Sequence, residues 1–115
     1  MRKSFFSLRE TPAAPHGPGI ERRAAAAGDA MMTFFNFAPG SSVPEHAHPH
    51  DQISVVVRGR AAFTVNGEKR VLGPGEGALM PGGVPHAVQI LDEGAEIWDA
   101  WAPPRKEYLP AGCEG

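Results

Sequence analysis

The sequence contains a single cysteine, Cys113, so no disulfide can form within the chain. Neither sign of charge predominates, because the 11 Lys and Arg residues nearly balance the 13 Asp and Glu residues and leave a formal net charge of −2. That balance provides no broad positive field for nucleic acid or anionic lipid. The best apolar run, 30–38, has nine residues and includes Asn36, far short of a membrane-spanning helix. These absences predict a soluble, cytoplasmic protein with neither a nucleic acid nor a membrane as partner.

Glycine and proline, in contrast, are abundant: 14 and 12 of the 115 residues. So many helix breakers leave little room for long helices and favour short elements joined by turns. A chain of this length is expected to form one domain over 1–115. We expect an N-terminal arm or loop at 1–19, a core over about 20–102 and a tail at 103–115.

Short β-branched and aromatic segments alternate with turn signals along most of the chain. The Asn66-Gly67 dipeptide suits a type I′ turn and predicts a hairpin around it. Segment 20–27 stays open between helix and strand, because Ala and Arg favour helix but the segment is short and lacks a clear cap. The tail is expected to form a helical turn over 103–109. Together the segments predict an all-β sandwich or barrel, with strands at 31–37, 53–57, 61–65, 68–72, 77–80, 86–91 and 95–101.

Four of the five histidines lie between positions 46 and 86. On an extended chain His46 and His48 point to the same side, and Gln52 follows in the same phase. His86 heads an apolar stripe, where a buried imidazole needs a partner such as a metal ion. His16 is expected to be an ordinary loop residue. The role of His50 stays open between a fourth inward group, a contact behind the ligands and an exposed position.

The glycines around these histidines form a two-part pattern that resembles the cupin signature. The first part runs from Gly40 through the histidines and Gln52 to Gly59, and the second from Gly75 to His86. This resemblance implies an all-β double-stranded barrel of the jelly-roll type, with one divalent ion, Zn, Ni, Mn or Fe, per chain. Its ligands would be His46, His48, Gln52 and His86. Because Gln52 replaces the usual glutamate, all four ligands are neutral and the ion would keep its full charge as a Lewis acid.

A narrower resemblance adds a function. HPHDQ at 48–52, PGGVPH at 81–86 and WDAWAPPRKEYL at 98–109 are similar to the KdgF group of cupins. That group acts late in pectin and alginate breakdown and promotes conversion of 4,5-unsaturated uronates to linear 5-keto-4-deoxyuronates. The resemblance implies a metal-dependent enzyme with a small anionic sugar acid as its substrate.

The last predicted strand places Ile97, Asp99 and Trp101 on one face. An acid between two apolar groups is costly to bury without a partner. A structural interpretation pairs Asp99 with Arg105 in a salt bridge. The functional interpretation makes Asp99 the catalytic acid/base, Arg105 a clamp for the substrate carboxylate and Trp101 a flat wall for the sugar ring, with packing as the alternative for Trp101.

Two other functions remain open from the sequence. One is an oxygen-dependent cupin dioxygenase, and the other is a non-catalytic cupin that binds an acid sugar or a metabolite. The ISVVV run at 53–57 is apolar on both faces of its strand, and such strands are usually covered on both sides. This run and the N-terminal segment predict a homodimer.

Overall fold

The computed structural model describes residues 4–109, and Cys113 lies outside them. Eight antiparallel strands account for most of this part of the chain. Two short 3₁₀ turns, Leu8–Glu10 and Lys106–Tyr108, flank the strands. The strands are β1 (Ala14–Pro15), β2 (Ile20–Ala27), β3 (Ala30–Phe37), β4 (Ser42–His46), β5 (Asp51–Val65), β6 (Glu68–Leu72), β7 (Gly77–Met80) and β8 (His86–Ala102).

Two long strands, β5 and β8, organise the molecule. They pair with each other along nearly their whole length, and each takes a different outer neighbour at its two ends. The first half of β5 pairs with β7 and its second half with β6. The first half of β8 pairs with β4 and its second half with β3, which continues to β2 and β1. This exchange of partners bends one sheet around a common core and gives the all-β, jelly-roll architecture predicted from the sequence.

The predicted breaks within β5 and β8 are bulges rather than ends of strands. Segments 53–57 and 61–65 belong to one strand, and so do segments 86–91 and 95–101. The register between β5 and β8 shifts around Arg58 and again between Gly59 and Ala61. A bulge bends a strand and increases its twist without ending its pairing. The prediction of two separate strands in each of these regions is therefore wrong, although each predicted segment is extended.

Segment 20–27, left open between helix and strand, is strand β2. It pairs with β3 residue by residue, from Ile20 opposite Phe37 to Ala27 opposite Ala30. Ile20 and Ala24 are buried, so the segment contributes to the core despite its helix-favouring composition. The neighbouring strand thus decides the conformation over local propensity.

The apolar core lies between the two bent layers. Its fully buried members include Val56 and Ile97 from the long strands. The predicted hairpin is confirmed, because Asn66 and Gly67 both have positive φ and connect β5 to β6, as a type I′ turn requires. The predicted helical turn in the tail is present as the 3₁₀ turn Lys106–Tyr108. No helix among residues 4–109 is long and apolar enough to cross a membrane.

Candidate metal centre and acid site

Strand register places a polar row across the inside of the barrel. Asp99 of β8 lies opposite Thr33 of β3 on one side and opposite Ser54 of β5 on the other. All three side chains are buried, with Asp99 only 3% exposed. Trp101, two residues further along β8, lies opposite Gln52 in the next row. The predicted common face of Ile97, Asp99 and Trp101 is present, and all three side chains are buried inside the barrel.

Neutral groups, rather than a salt bridge, hold Asp99. The Thr33 hydroxyl donates a hydrogen bond to Asp99 Oδ2 at 3.2 Å, and the Ser54 hydroxyl donates one to Oδ1. Trp101 Nε1 donates in turn to Thr33 Oγ1 at 2.8 Å. Burial raises the pKa of Asp99 to about 6, although the hydrogen bonds oppose that shift. The carboxyl can therefore exchange a proton near neutral pH.

The predicted structural alternative, an Asp99–Arg105 salt bridge, is wrong. Arg105 forms its ion pair with Glu107, its neighbour in the tail, through Nε at 3.1 Å. The guanidinium carbon of Arg105 lies 4.4 Å from the ring centre of Tyr108 and 5.3 Å from that of Trp101. Arg105 therefore packs against aromatic rings near the tail. The carboxylate of Asp99 instead accepts hydrogen bonds from hydroxyl groups inside the barrel.

Three histidines meet beside this polar row. His46 ends β4, His86 begins β8, and the two are a cross-strand pair. His48 follows β4 in the connection to β5, outside any strand. The ligand atoms of the three rings all lie within 4.8 Å of one another. His46 and His48 therefore converge as predicted, but for a different reason. The connection after β4 brings His48 inward, whereas the prediction assumed that both residues lie on one extended strand.

Each of the three rings has its tautomer set by a main-chain carbonyl. Nδ1–H donates to Pro44 O in His46, to His50 O in His48 and to Val84 O in His86, at 2.9–3.0 Å. Because a carbonyl oxygen can only accept, Nδ1 carries the proton and Nε2 keeps its lone pair. Such backing hydrogen bonds orient metal-binding histidines in proteins.

Two further observations fit a metal ion at these Nε2 atoms. The Nε2 atom of His86 is buried and has no hydrogen-bond partner among residues 4–109. Burial lowers the pKa of His48 and His86, which favours the neutral rings that bind metals. Three neutral imidazoles suit a divalent transition metal. His46, His48 and His86 could therefore hold one such ion.

Gln52 presents its carbonyl oxygen to the same place. Its Oε1 lies 3.0 Å from Nε2 of His48, and its Nε2 donates to Ser54 Oγ at 3.2 Å. In neutral His48 both facing atoms carry lone pairs, so a cation bound to both would relieve their repulsion. The amide thus links the histidine cluster to the hydroxyl that holds Asp99.

Aromatic side chains line part of the cavity above these groups. Its volume is about 40 Å³, and Trp101 and Tyr108 form part of its wall together with His46, Gln52 and His86. Trp101 is 4% exposed and lies edge-on to Tyr108 at 5.7 Å between ring centres. His50 is half-buried, with its ring near Trp101, and its carbonyl supports His48. Of the options left open for His50, a contact behind the ligands matches the structure.

Several residues of this site were missed from the sequence. Thr33 and Ser54 have ordinary strand patterns, and only the pairing of three strands brings them to Asp99. His16, expected to be an ordinary loop residue, lines the cavity. The Gly17-Pro18-Gly19 turn is the one signal in the sequence that could have suggested that the arm folds back.

The barrel and its histidine cluster define a cupin, and the model for the cupin domain matches residues 33–98. Over 111 residues the chain is 35% identical to the pectin degradation protein KdgF of Dickeya dadantii (strain 3937), covering 95% of this chain and 100% of that protein. The chain belongs to the KdgF family of cupins.

Solved structures agree with this assignment. KdgF from Halomonas sp. superposes with a TM-score of 0.87 at 33% identity, covering 94% of this chain and 100% of that one. An RmlC-like cupin from Shewanella frigidimarina NCIMB 400 superposes with a TM-score of 0.88 at 27% identity, covering 94% and 97%. The predicted family and fold class are thus confirmed.

Proposed function

We propose that this protein is a metal-dependent enzyme that converts 4,5-unsaturated uronates to linear 5-keto-4-deoxyuronates. The observation that carries the proposal is one cavity lined by a buried, proton-exchanging carboxyl, Asp99, and by His46 and His86, two of the three histidines that could hold a metal. The relative from Dickeya dadantii, described as a pectin degradation protein, supports a product of pectin breakdown as substrate.

The reaction requires a proton at carbon 4 and water at carbon 5. In the proposed scheme the Asp99 carboxyl donates its proton to carbon 4 of the enol ether, and water adds at carbon 5. The carboxylate then takes back the proton that the water releases, and the resulting hemiketal opens to the linear keto form. A pKa of about 6 suits a group that both gives and accepts a proton near neutral pH.

Arg105 and Trp101 are proposed to hold the sugar acid. The planar guanidinium of Arg105 binds a carboxylate with two parallel hydrogen bonds. Its position against Trp101 and Tyr108, both of which line the cavity, restricts its orientation. The indole of Trp101 lines the cavity, and its flat ring is proposed to pack against the sugar ring.

The proposed ligands of the metal are His46, His48, Gln52 and His86, with one divalent ion per chain. The convergent Nε2 atoms and the facing oxygen of Gln52 support this set. When bound, the ion supplies a Lewis acid that polarises the substrate carboxylate or ring oxygen. Zn, Ni, Mn and Fe are the candidates for this neutral ligand set.

The test follows the ultraviolet absorbance of the conjugated double bond in unsaturated galacturonate and guluronate monomers. Protein reconstituted separately with Zn, Ni, Mn and Fe is compared with buffer, because the reaction also proceeds unaided. We expect faster loss of absorbance with at least one metal, and we expect a His48→Ala/His86→Ala double variant to lose both the metal and the acceleration. A rate equal to the control on both sugars overturns the proposal. Substrate-dependent oxygen consumption would then support a dioxygenase, and uronate binding without turnover would support a binding protein.

We also propose that the protein is a cytoplasmic homodimer. Alternate residues of the first half of β5 face outward and remain exposed, with Ile53 at 54%. Leu79 of β7, directly opposite Ile53, is 71% exposed. Val55 and Val57 extend this apolar patch along β5. A second copy of the chain, related by a two-fold axis, would cover this patch with the same apolar residues.

A further inference from the structure

His16 reaches the cavity from the N-terminal arm. The short strand β1 pairs with β2, with Ala14 opposite Arg22, and the chain reverses through a glycine-containing turn. The main-chain N–H of His16 donates to Ile20 O at 2.9 Å, which continues this pairing. His16 and Arg22 are therefore diagonal neighbours on the same face of the hairpin, within reach of each other's side chains.

Arg22 determines which nitrogen of His16 carries the proton. Nη1 of Arg22 lies 2.8 Å from Nδ1 of His16. Because a guanidinium can only donate, Nδ1 accepts and the neutral ring carries its proton on Nε2. Burial, followed by the charge of Arg22, lowers the pKa of His16 and keeps the ring neutral near pH 7. The result is a single N–H donor of known position.

Aromatic contacts hold the ring in place. It lies edge-on to Phe35 at 4.9 Å and to Tyr108 at 5.3 Å between ring centres, and all three residues line the cavity. The carbons of the Arg22 and Arg105 guanidinium groups each lie 4.4 Å from the ring centre of Tyr108. The two guanidinium groups lie against Tyr108 and outside the cavity lining, and Glu107 offsets part of the charge of Arg105. The positive charge near an oriented imidazole favours an anionic, hydroxyl-bearing ligand.

Nε2–H of His16 has no hydrogen-bond acceptor among residues 4–109. We propose that His16 is a substrate-binding residue, whose Nε2–H donates a hydrogen bond to a hydroxyl or carboxylate oxygen of the bound sugar acid. Arg22 is then a positioning residue that acts through the tautomer of His16. This inference rests on the proposed function for the identity of the ligand.

The kinetic test compares two substitutions of His16 in the metal-loaded protein. His16→Leu removes the donor, and we expect KM for the unsaturated uronate to rise about tenfold, the effect of one lost hydrogen bond. His16→Gln keeps an N–H donor, and we expect it to recover most of that loss. Metal content should stay at the wild-type level in both variants. Equal KM values for His16→Leu and the wild type would overturn the inference while leaving the proposed function intact.

A second test is independent of turnover. In protein labelled with ¹⁵N, the histidine nuclear magnetic resonance spectrum should show His16 as the Nε2–H tautomer. Arg22→Met should give a mixture of tautomers, a change that a merely structural role of Arg22 would not produce. Saturated galacturonate, which cannot react, should shift the Nε2 signal, whereas uncharged galactose serves as the control for the carboxylate.

These spectra separate the two proposals. If the wild type never accelerates the reaction but galacturonate shifts the His16 signal, the proposed function fails and the binding role of His16 stands. If galacturonate leaves that signal unchanged at every concentration, the binding role fails. An unprotonated Nε2 in the wild type would also overturn it.

Discussion

At the scale of single residues, the carboxyl of Asp99 is deeply buried and is contacted by neutral groups. These are the hydroxyls of Thr33 and Ser54 and the side-chain amide of Gln52. The hydroxyls of Thr33 and Ser54 fix both of its oxygens, while burial keeps the pKa near 6. An ion pair would have lowered that pKa and removed the proton. The neutral surroundings are therefore what make a proton-transfer role chemically reasonable for this residue.

Asp99→Asn tests that role. Asparagine has nearly the same shape and still accepts hydrogen bonds, but it cannot transfer a proton. We expect the rate constant kcat to fall by about 10²- to 10⁴-fold, the usual contribution of general acid–base catalysis. Metal content and thermal stability should remain close to wild type. Asp92→Asn, the same chemical change at an exposed position of β8, is the matched control and should keep full activity. Full activity in Asp99→Asn would contradict the assignment.

His16 gives a prediction about acid sensitivity. Its pKa lies below the ordinary value of 6.5, because burial and nearby positive charge oppose protonation in the folded state. The stability that depends on neutral His16 is therefore complete above about pH 6.5 and is lost as the pH falls below that value. The groups that face it are Arg22, Tyr108, Arg105 and His46.

The measurement is the melting temperature between pH 7 and pH 5. We expect it to fall less on acidification in His16→Gln than in the wild type, because glutamine does not titrate. The histidines of the metal centre are present in both proteins, so the difference between the curves reports the loss of His16 together with its repulsion from His46. Parallel curves for the two proteins would show that His16 does not carry this effect.

At the scale of elements, the bend in β5 depends on close contact between two backbones. Gly59 has a φ of +78°, and a Cβ atom built there would lie 2.0 Å from Gly94 O. Both the conformation and the space therefore demand glycine. The sequence pattern correctly marked Gly59 as a special position, but it suggested the end of a strand, whereas the structure has a bulge within one.

We expect Gly59→Ala to lower the free energy of unfolding by more than about 2 kcal/mol, through backbone strain together with displacement of the β5–β8 contact. Gly75→Ala is the matched control. Its φ is +84°, yet nothing lies within 4 Å of its built Cβ, so only the strain of about 1 kcal/mol should appear. Urea unfolding of both variants measures the difference. Equal losses would show that the contact at Gly94 is not limiting.

At the scale of the whole molecule, the described chain covers one face of β5 and leaves the other exposed. The core takes the inward residues, such as Ser54 and Val56, while Ile53 and Val55 face outward. Phe6 of the arm contacts Phe34 on β3. Such an apolar patch on a small domain is typical of a surface that meets another protein.

Light scattering tests the proposed homodimer. We expect a mass about twice the 12.2 kDa of one chain at micromolar concentration. Leu79→Lys places a charge in the centre of the patch and should shift the mass towards the monomer. Val71→Lys, the same charge on an exposed valine of β6, is the control and should remain dimeric. A wild-type mass of one chain would rule out the dimer.

The sequence by itself determined the fold class and the identity of the histidine cluster, because both depend on local signals. Turn residues recur at short intervals, and the spacing of glycines and histidines around His46, His48 and His86 is contained in two short segments. The alternation of β8 likewise placed Asp99 and Trp101 on one face of the strand without any knowledge of their neighbours, and the structure shows that this face is buried.

Tertiary structure alone decided the surroundings of those residues. Strand β2 forms because β3 pairs with it, against the helix preference of its alanines. Thr33 and Ser54 reach Asp99, and His16 reaches the cavity, through pairings between segments far apart in the chain. No local pattern encodes those pairings, since the free energy that selects them comes from burying the whole barrel interior at once.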